Sequence, residues 1–243
     1  MPTLILTPRQ TEDAQSLWRA AGRLGWSVER LSSWRLPGHL QARADLVLYV
    51  EALFGPSLAE QAGVTLIDPP EDWLVRLPDE YRRRAITLTS LGAARSQPAP
   101  RFVKPPNDKS FPADVYTGNE LPHAFDDDMP VLVSDVVAWE CEFRCFVLDR
   151  KLVTYSLYSR HGELQRASEF HSEPGEDAAA EAFMAQLLAD SRVDLPAAIV
   201  VDIGHIAGRG WACVELNAAW GAGIYGCDPE KALAVIRQAS RAS

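Results

Sequence analysis

Short apolar runs alternate with longer stretches of helical periodicity over roughly the first hundred residues. One helical stretch extends from Thr11 to Leu24, with Gly25 as its stop. A second helical pattern runs from Pro78 to about Ala94. The strand candidates are residues 3–7, 28–31, 45–50 and 64–67, and residues 51–62 have the length and composition of a helix. Strands separated by helices predict βαβ units and a parallel sheet.

A proline-rich segment, Ser96-Gln97-Pro98-Ala99-Pro100, interrupts this pattern, and the apolar period changes to two after it. Strands are expected at residues 101–104, 131–133, 139–148, 151–157, 199–206 and 211–216, and helices at about 176–189 and 229–239. The pattern therefore predicts an α/β domain over residues 1–97 and an α+β region with an antiparallel sheet over residues 98–243.

The composition is that of a soluble globular protein, with 47% hydrophobic and 23% charged residues. No apolar run reaches the length of a membrane span and residues 1–7 lack a basic signal start, so we expect a cytoplasmic protein without membrane association. The net charge of -9 argues against a nucleic-acid partner. No C-x-x-C spacing occurs, so reduced, partly buried thiols are expected at Cys141, Cys145, Cys213 and Cys227.

Two apolar strands near the C-terminus carry acids at selected positions. If Gly208-Arg209 is the two-residue type II′ turn of a hairpin, the register places Asp202 directly opposite Glu215. Asn217 then shares the face of Glu215 and lies diagonal to Asp202. The sequence thus predicts three oxygen donors on one patch of the hairpin.

Like charges opposed across a strand pair are destabilising unless something cationic neutralises them. Carboxylate and amide oxygens are hard ligands that suit Mg²⁺, so a magnesium site is one interpretation of this patch. The alternative is an ordinary hairpin whose acids face water or meet an arginine.

The chain has four lysines against twenty arginines, and two of the four lie close together. Lys104 ends a predicted strand, and Lys109 follows five residues later. Two ammonium groups at a strand end could reach the phosphates of a nucleotide. The alternative is a pair of exposed lysines on a proline-rich edge.

The strand at 139–148 separates charged from apolar residues by alternation. One face is expected to be core, and it carries Cys141, Phe143, Cys145 and Val147. The other is expected to be accessible, and it carries Glu140, Glu142, Arg144 and Phe146. Glu142 and Arg144 either form a surface salt bridge or divide between the ribose and the phosphates of one nucleotide.

Several other patterns are interpreted as structural. Residues 221–226 match G-x-G-x-x-G, but the βαβ unit that a dinucleotide site needs does not follow. No Walker A spacing and no Ser-His-Asp or Cys-His arrangement is found, and His205 is expected to be structural. The basic triplet Arg82-Arg83-Arg84 is expected to be a solvated helix face.

Taken in order, these features resemble the ATP-grasp superfamily. The series is a strand lysine, a second lysine, the linker strand Val131-Leu132-Val133-Ser134, a Glu-x-Arg strand, and an Asp followed by Glu-x-Asn. The segment from Glu215 to Asp228 is similar to the end of the clade named for two arginines and a lysine. The resemblance covers about residues 101–229 and is only architectural before them.

The resemblance implies a Rossmann-like N-terminal domain followed by a two-lobed ATP-grasp fold with antiparallel sheets. Residues 98–137 would be the small lobe and hinge, and residues 138–243 the large lobe with the metal site. Lys104 and Lys109 would contact the α- and β-phosphates, although a proline-containing segment replaces the usual glycine-rich loop and leaves the role of Lys109 open. The hinge against adenine would be Ser134, Asp135, Val136 and Val137.

Glu142 would hold the ribose, with Glu140 as a rival because the register is one residue loose. Arg144 would face the γ-phosphate or an acyl-phosphate, and Lys104 and Arg144 are the catalytic candidates. Asp202, Glu215 and Asn217 would hold Mg²⁺, with Mn²⁺ as an alternative ion.

The function implied is an ATP-dependent carboxylate–amine ligase that works through an acyl-phosphate on a small-molecule, amino-acid or peptide substrate. Two alternatives stay open: an ATP-grasp kinase that phosphorylates a hydroxyl, and a non-catalytic ATP-binding module. A homodimer is compatible with either. Substrate selection is expected to depend on the N-terminal domain and on loops such as residues 160–176.

Overall fold

The computed structural model describes residues 1–41, 43, 45–107 and 109–242. The strands are β1 (Thr3–Leu6), β2 (Ser27–Arg30), β3 (Leu46–Tyr49), β4 (Val64–Leu66), β5 (Ile86–Ser90), β6 (Arg101–Lys104), β7 (Asp114–Tyr116), β8 (Pro130–Ser134), β9 (Trp139–Leu148), β10 (Lys151–Arg160), β11 (Glu163–Leu164), β12 (Ala198–Ile206), β13 (Gly210–Asn217) and β14 (Ser240–Ala242). The α-helices are α1 (Glu12–Arg23), α2 (Gly55–Ala62), α3 (Trp73–Arg76), α4 (Asp79–Arg82), α5 (Leu91–Arg95), α6 (Pro174–Ala189) and α7 (Pro229–Ala239).

The N-terminal strands form a parallel sheet in the order β2-β1-β3. Every residue of β1 is buried, as expected for a strand covered on both faces. The predicted first helix is confirmed as α1, because the Thr11 hydroxyl accepts a hydrogen bond from the Ala14 amide (3.1 Å) and caps the helix. The strand candidate at 64–67 differs from the prediction, because β4 pairs antiparallel with β14 and lies outside the parallel sheet.

Helix α7 packs on the N-terminal sheet although it lies near the other end of the sequence. Its buried residues Leu233 and Ile236 share one core with Leu4 and Leu48 of the parallel strands. Phe146, from β9, belongs to the same core. The N-terminal strands are therefore covered in part by residues that follow the central sheet in the chain.

A four-stranded antiparallel sheet has the order β5-β8-β6-β7. The prediction of one helix from Pro78 to about Ala94 is wrong, because α4 ends at Arg83, which has a left-handed φ of 52°, and β5 follows. The β-branched residues of β5 suit a strand, and the strand pairs with β8 from Ile86 to Ser90. The division at residue 97 stays a prediction, but β5 precedes it and is hydrogen bonded to a strand that follows it.

A five-stranded antiparallel sheet, β11-β10-β9-β12-β13, forms the centre of the chain. Helix α6 covers one face, and the predicted core side of β9 is confirmed, because Cys141, Phe143, Cys145 and Val147 are all buried there. The prediction that the other face is accessible is wrong for two of its members. Phe146 is fully buried and Arg144 is buried, because the N-terminal core lies over this end of the sheet.

The β12–β13 hairpin pairs Asp202 with Glu215, as predicted, but by a different route. Ile206 pairs with Gly210, so three residues form the loop instead of two. Gly208 takes the third position of a turn that the Arg209 amide closes on the Ile206 carbonyl (3.0 Å), with a left-handed φ of 71°. A bulge between Ile203 and Asp202 restores the predicted pairing.

All four cysteines are free and buried, which confirms the prediction of unpaired thiols. Within the described ranges, no helix is both long and apolar enough to cross a membrane.

We predict that Leu233→Ala lowers the free energy of unfolding by about 2–5 kcal/mol, because it removes a fully buried side chain of α7 from the N-terminal core. Leu53→Ala is the matched control, since Leu53 is 83% exposed, and its effect is expected to stay within about 0.5 kcal/mol. Urea denaturation measures both values. Equal values for the two variants would show that α7 does not contribute to the core.

Candidate functional site

Asp202, Glu215 and Asn217 lie together on the face of the central sheet opposite α6. The Asn217 side-chain Nδ2 donates to Asp202 Oδ2 (3.1 Å) and to Glu215 Oε1 (2.9 Å). Asp202 is fully buried, whereas the Glu215 side chain keeps 27% of its exposure. The sequence-predicted patch of three oxygen-bearing side chains is therefore present, and Asn217 lies between the two carboxylates.

Lys104 brings positive charge to this patch from a different sheet. It ends β6 in the four-stranded sheet, and its Nζ forms an ion pair with Glu215 Oε2 on β13. The two predicted groups, one for phosphate and one for metal, are thus direct partners. The four-stranded and five-stranded sheets meet at this ion pair.

Arg144 is the partner of Asp202. Its Nε donates to Asp202 Oδ1 (2.9 Å), and its Nη2 donates to Oδ2 (2.6 Å), so the pair is bidentate. Its Nη1 donates to the Gly223 carbonyl (3.0 Å). The guanidinium also lies over the rings of Tyr225 and Tyr158, at 4.7 and 5.4 Å from their centroids. Arg144 is therefore held on every side.

The burial of these groups shifts their protonation. Burial raises the pKa of Asp202 to about 6, and the charge of Arg144 only partly offsets this effect. Burial acts in the same direction on Glu215, but the charge and hydrogen bond of Lys104 outweigh it and lower the pKa of Glu215 to about 2. Burial opposes the charge of Arg144, yet Asp202 holds the pKa of Arg144 well above its usual value. At neutral pH all three are charged.

The predicted hinge follows β8 directly. Ser134 is buried and pairs with Phe102 of β6, while Val136 is 50% exposed. The Asp135 carboxylate accepts from Arg101 (3.1 Å), and it also accepts from the Ala85 amide (3.2 Å). Asp135 therefore fixes the start of β5 and of β6 at the hinge, and Val137 follows as a half-buried residue.

The remaining candidates are separated by their contacts. Glu142 accepts a hydrogen bond from the Tyr158 hydroxyl (3.0 Å), which places it beside Arg144. Glu140 instead contacts His205 Nδ1 (2.7 Å) and is exposed. Lys109 is exposed, and no ion pair joins it to the acidic residues that the structure describes. The structure brings Glu142 to the site and leaves Glu140 and Lys109 outside it.

The G-x-G-x-x-G run is a packing turn, as its sequence context predicted. A Cβ on Gly223 would lie 3.0 Å from Asp13 Oδ2 and 3.6 Å from Arg144 Nη1. The Ile224 amide donates to the same Asp13 oxygen (3.1 Å). The glycine thus permits the close approach of this turn to α1 and to the guanidinium.

Sequence reasoning missed three residues of the site. Tyr158 and Tyr225 stack on one another, with ring centroids 5.0 Å apart, and both contact Arg144. Arg84 donates to the backbone of β13 instead of facing solvent, which corrects the interpretation of the basic triplet. No spacing in the sequence links these residues to the site, and only the position of Tyr225 inside the glycine run was a signal.

Within the described part of the chain, no group of three or more His, Cys, Asp and Glu side chains is arranged to hold a metal ion. The patch has two carboxylates and a carboxamide, and both carboxylates have cationic partners. The metal role of Asp202, Glu215 and Asn217 stays a prediction.

A protein-family model matches residues 81–235, more than half of the chain, and it describes family 2 of the ATP-grasp clade named for two arginines and a lysine. No curated protein matches the chain. Among solved structures, D-cycloserine synthetase DcsG has a TM-score of 0.61 at 14% identity, covering 97% of this chain and 99% of that chain. The RimK domain protein ATP-grasp from Sphaerobacter thermophilus DSM 20745 has a TM-score of 0.56 at 14% identity, covering 98% of each chain.

A third solved structure, ATP-grasp ligase PsnB complexed with a phosphomimetic variant of its minimal precursor, Mg and ADP, has a TM-score of 0.51 at 12% identity, covering 98% of each chain. At these identities the likeness establishes a shared fold. The predicted ATP-grasp fold with antiparallel sheets is confirmed, while the Rossmann-like character of the N-terminal domain stays a prediction.

We predict that Asp202 makes the folded chain less stable as the pH rises from about 4 to about 6. Its folded pKa of about 6 lies above the unfolded value of about 3.9, so in this window the folded state binds more protons and its free energy of unfolding falls with rising pH. Glu215 has a lowered pKa, so its stabilising contribution is lost only at more acidic pH, from about 4.5 towards 2.

Urea titrations of the parent chain and of Asp202→Asn between pH 4 and pH 7 measure this effect. The difference between the two should change by on the order of 2–3 kcal/mol across the window. Asp114→Asn, at an exposed position, is the control. Parallel curves for the parent chain and Asp202→Asn would contradict the raised pKa.

Proposed function

Because the chain belongs to family 2 of the ATP-grasp clade named for two arginines and a lysine, we propose that it is an ATP-dependent ligase that joins a carboxylate to an amine. The ion pair between Lys104 and Glu215 carries this proposal. It joins a phosphate-binding type of side chain on one antiparallel sheet to a metal-binding type on the other. A nucleotide with its metal ion would engage both.

The nucleotide contacts of the proposal are these. Lys104 lies at the end of β6, with its ammonium at the site, and would bind phosphate oxygens as a point charge. Lys109 would reach the phosphates only from its exposed loop. Glu142 would hold the ribose, and the hinge from Ser134 to Val137 would contact adenine, with Val136 offering an exposed apolar surface.

Arg144 has the weakest access among the proposed contacts. Its side chain is only 8% exposed, and both terminal nitrogens already have acceptors. Contact with the γ-phosphate or with an acyl-phosphate would require Arg144 to give up one of these acceptors. An Arg that is positioned in advance offsets developing charge without reorganising at the moment of reaction.

The donor set fits Mg²⁺, with Mn²⁺ as an alternative. Glu215 and Asn217 are adjacent oxygen-bearing side chains, and a cation, the Lys104 ammonium, already lies on Glu215. Asn217 would turn its carboxamide so that the oxygen replaces the nitrogen. Asp202 would join only where Arg144 releases one of its oxygens. A bound Mg²⁺ would supply charge that neutralises phosphate oxygens.

The reaction proposed needs no protein nucleophile. The substrate carboxylate attacks the γ-phosphorus of ATP, the bond to the bridging oxygen breaks, and ADP leaves. The amine then attacks the acyl carbon of the acyl-phosphate, phosphate leaves, and the nitrogen loses a proton to solvent. Lys104 and Arg144 would balance the charge on the phosphates, and closure of the two sheets would exclude water that hydrolyses the acyl-phosphate.

The substrate is proposed to be an amino acid or a peptide. The structure of PsnB holds a variant of a minimal precursor, and DcsG is a D-cycloserine synthetase. In this chain, the N-terminal sheet, which we propose to be a Rossmann-like domain, approaches the site through Asp13, whose carboxylate lies near Arg144. A cytoplasmic setting would supply the ATP.

The experiment that tests this function measures ADP release with Mg²⁺ against pooled carboxylates and amines. A ligase releases ADP only when both substrates are present, whereas a stable phosphorylated product without an amide would indicate a kinase. Nucleotide binding without turnover across the panel would indicate a non-catalytic module. Absence of Mg-dependent ATP binding would reject all three.

We predict that Glu215→Gln reduces ADP release by about 100-fold or more, because it removes a charge proposed to hold the metal ion. Glu163→Gln, an exposed change on β11, is the control and should retain the parent rate. Full activity of Glu215→Gln would remove Glu215 from the metal site.

We predict further that Glu142→Gln raises the dissociation constant of Mg-ATP by about 10-fold or more, because it weakens a hydrogen bond to a charged acceptor. Glu140→Gln should change it by less than about twofold, since Glu140 is exposed and faces His205. Calorimetric titration of both variants measures the constants. A larger loss in Glu140→Gln would reverse the assignment.

A further inference from the structure

The position of Glu215 depends on a bulge in β13. Ile203 pairs with Cys213, but Asp202 pairs with Glu215, so Val214 is an extra residue. Continuing the register of the turn end would place Val214 opposite Asp202 and turn Glu215 to the face covered by α6. The bulge is therefore what brings the Glu215 carboxylate to Lys104.

Arg84 binds the backbone at this bulge. Its Nη1 donates to the Cys213 carbonyl (2.7 Å), and its Nη2 donates to the Val214 carbonyl (3.0 Å). Strand β13 is at the edge of its sheet, so these carbonyls have no further strand to bind. Successive carbonyls of a regular strand point to opposite edges, and one guanidinium reaches both only where the strand is bulged.

Arg84 is itself held in place. It lies over the ring of Trp139, with the guanidinium carbon 5.0 Å from the centroid. Trp139 in turn packs against Gly204, where a Cβ would come within 2.7 Å of the indole. The indole thus lies directly on β12 and supports the arginine.

The chemistry of Arg84 is unusual for a buried cation. Among the described residues it forms no salt bridge, and its donors go to backbone carbonyls, including that of Arg82 (3.0 Å). Burial lowers the pKa of Arg84 to about 10, so it stays charged at neutral pH. Burying a charge without a carboxylate partner is costly, and charged hydrogen bonds to the bulge offset part of that cost.

Arg84 also connects two parts of the site. It lies between α4 and β5, and β5 pairs with β8, the strand that leads into the hinge. A movement of the four-stranded sheet would therefore be transmitted to the bulge through this side chain. The phosphate-binding and metal-binding sides of the site share a rigid connection.

We propose that Arg84 is a positioning residue for Glu215: it holds the β13 bulge that turns this carboxylate toward Asp202 and Lys104. The proposal rests on the metal role proposed for Glu215. It concerns a residue that touches neither nucleotide nor metal ion and acts through the backbone.

The experiment compares Arg84→Gln, Arg84→Lys and the neighbouring control Arg83→Gln, since Arg83 is exposed. Calorimetry measures the dissociation constant of ATP with Mg²⁺ and with a chelator. Arg84→Gln is expected to weaken binding of Mg-ATP by about 10-fold or more while metal-free ATP binding stays within about twofold, as is typical when support of a metal ligand is lost. Arg84→Lys should recover part of the loss, and Arg83→Gln should match the parent chain.

Hydrogen exchange of the segment 210–217 provides a readout that needs no ligand. It should be faster in Arg84→Gln than in the parent chain and in Arg83→Gln, because two carbonyls lose their donors. Unchanged exchange would overturn the proposal even if the chain proved not to bind Mg-ATP. Equal loss of metal-bound and metal-free ATP binding would also overturn it, since that result indicates a general structural role.

Faster exchange in a chain without Mg-dependent ATP binding would reject the proposed function while supporting the role of Arg84 at the bulge. Arg84→Lys keeps the test valid if Arg84→Gln fails to fold, because it retains the charge and loses the planar two-pronged geometry. Parent-like exchange and parent-like metal dependence in Arg84→Lys would count against the proposal.

Discussion

The buried ion pair of Arg144 and Asp202 links the central sheet to the rest of the molecule. Arg144 is on β9 and Asp202 on the neighbouring β12, so the pair crosses two central strands. Its third donor, Nη1, reaches the turn at Gly223, which also binds α1. Removing one partner of such a pair would leave a buried charge without compensation, at a cost of about 3–5 kcal/mol. The N-terminal unit, the turn and the sheet therefore depend on one contact.

The same pair sets the charge balance of the site. Two carboxylates, on Asp202 and Glu215, are matched by two cations, and Asn217 separates the carboxylates. Entry of a metal ion would therefore be an exchange, in which Lys104 leaves Glu215 as the ion arrives. Phosphate oxygens would offer Lys104 a new partner at the same moment. Charge complementarity of this kind favours joint binding of nucleotide and metal.

The sequence predicted the opposition of Asp202 and Glu215, but two errors cancelled in that prediction. The turn was placed one residue too far along the chain, and the bulge at Val214 was not foreseen. Hydrophobic alternation cannot reveal a bulge, because the extra residue is apolar and fits either face. Patterning also predicted β9 and its core side, since Cys141, Phe143, Cys145 and Val147 are uniformly apolar.

The other face of β9 was beyond reach from the sequence. Arg144 and Phe146 are buried by α7 and the N-terminal strands, which are distant in the chain, so no local period records their contact. The role of Arg84 was missed for the same reason: three consecutive arginines have the appearance of a solvated face. Residues that act through long-range backbone contacts leave no local pattern.

The packing of α7 on the N-terminal sheet has a consequence for synthesis on the ribosome. Strands β1 and β3 are made first, yet Leu233, Ile236 and the rest of the helix that covers them are among the later residues to emerge. Until then the sheet exposes an apolar face, and β4 lacks β14, the strand it pairs with. The nascent chain must therefore keep this face from associating with other chains until translation nears its end, so slow elongation would prolong its risk of aggregation.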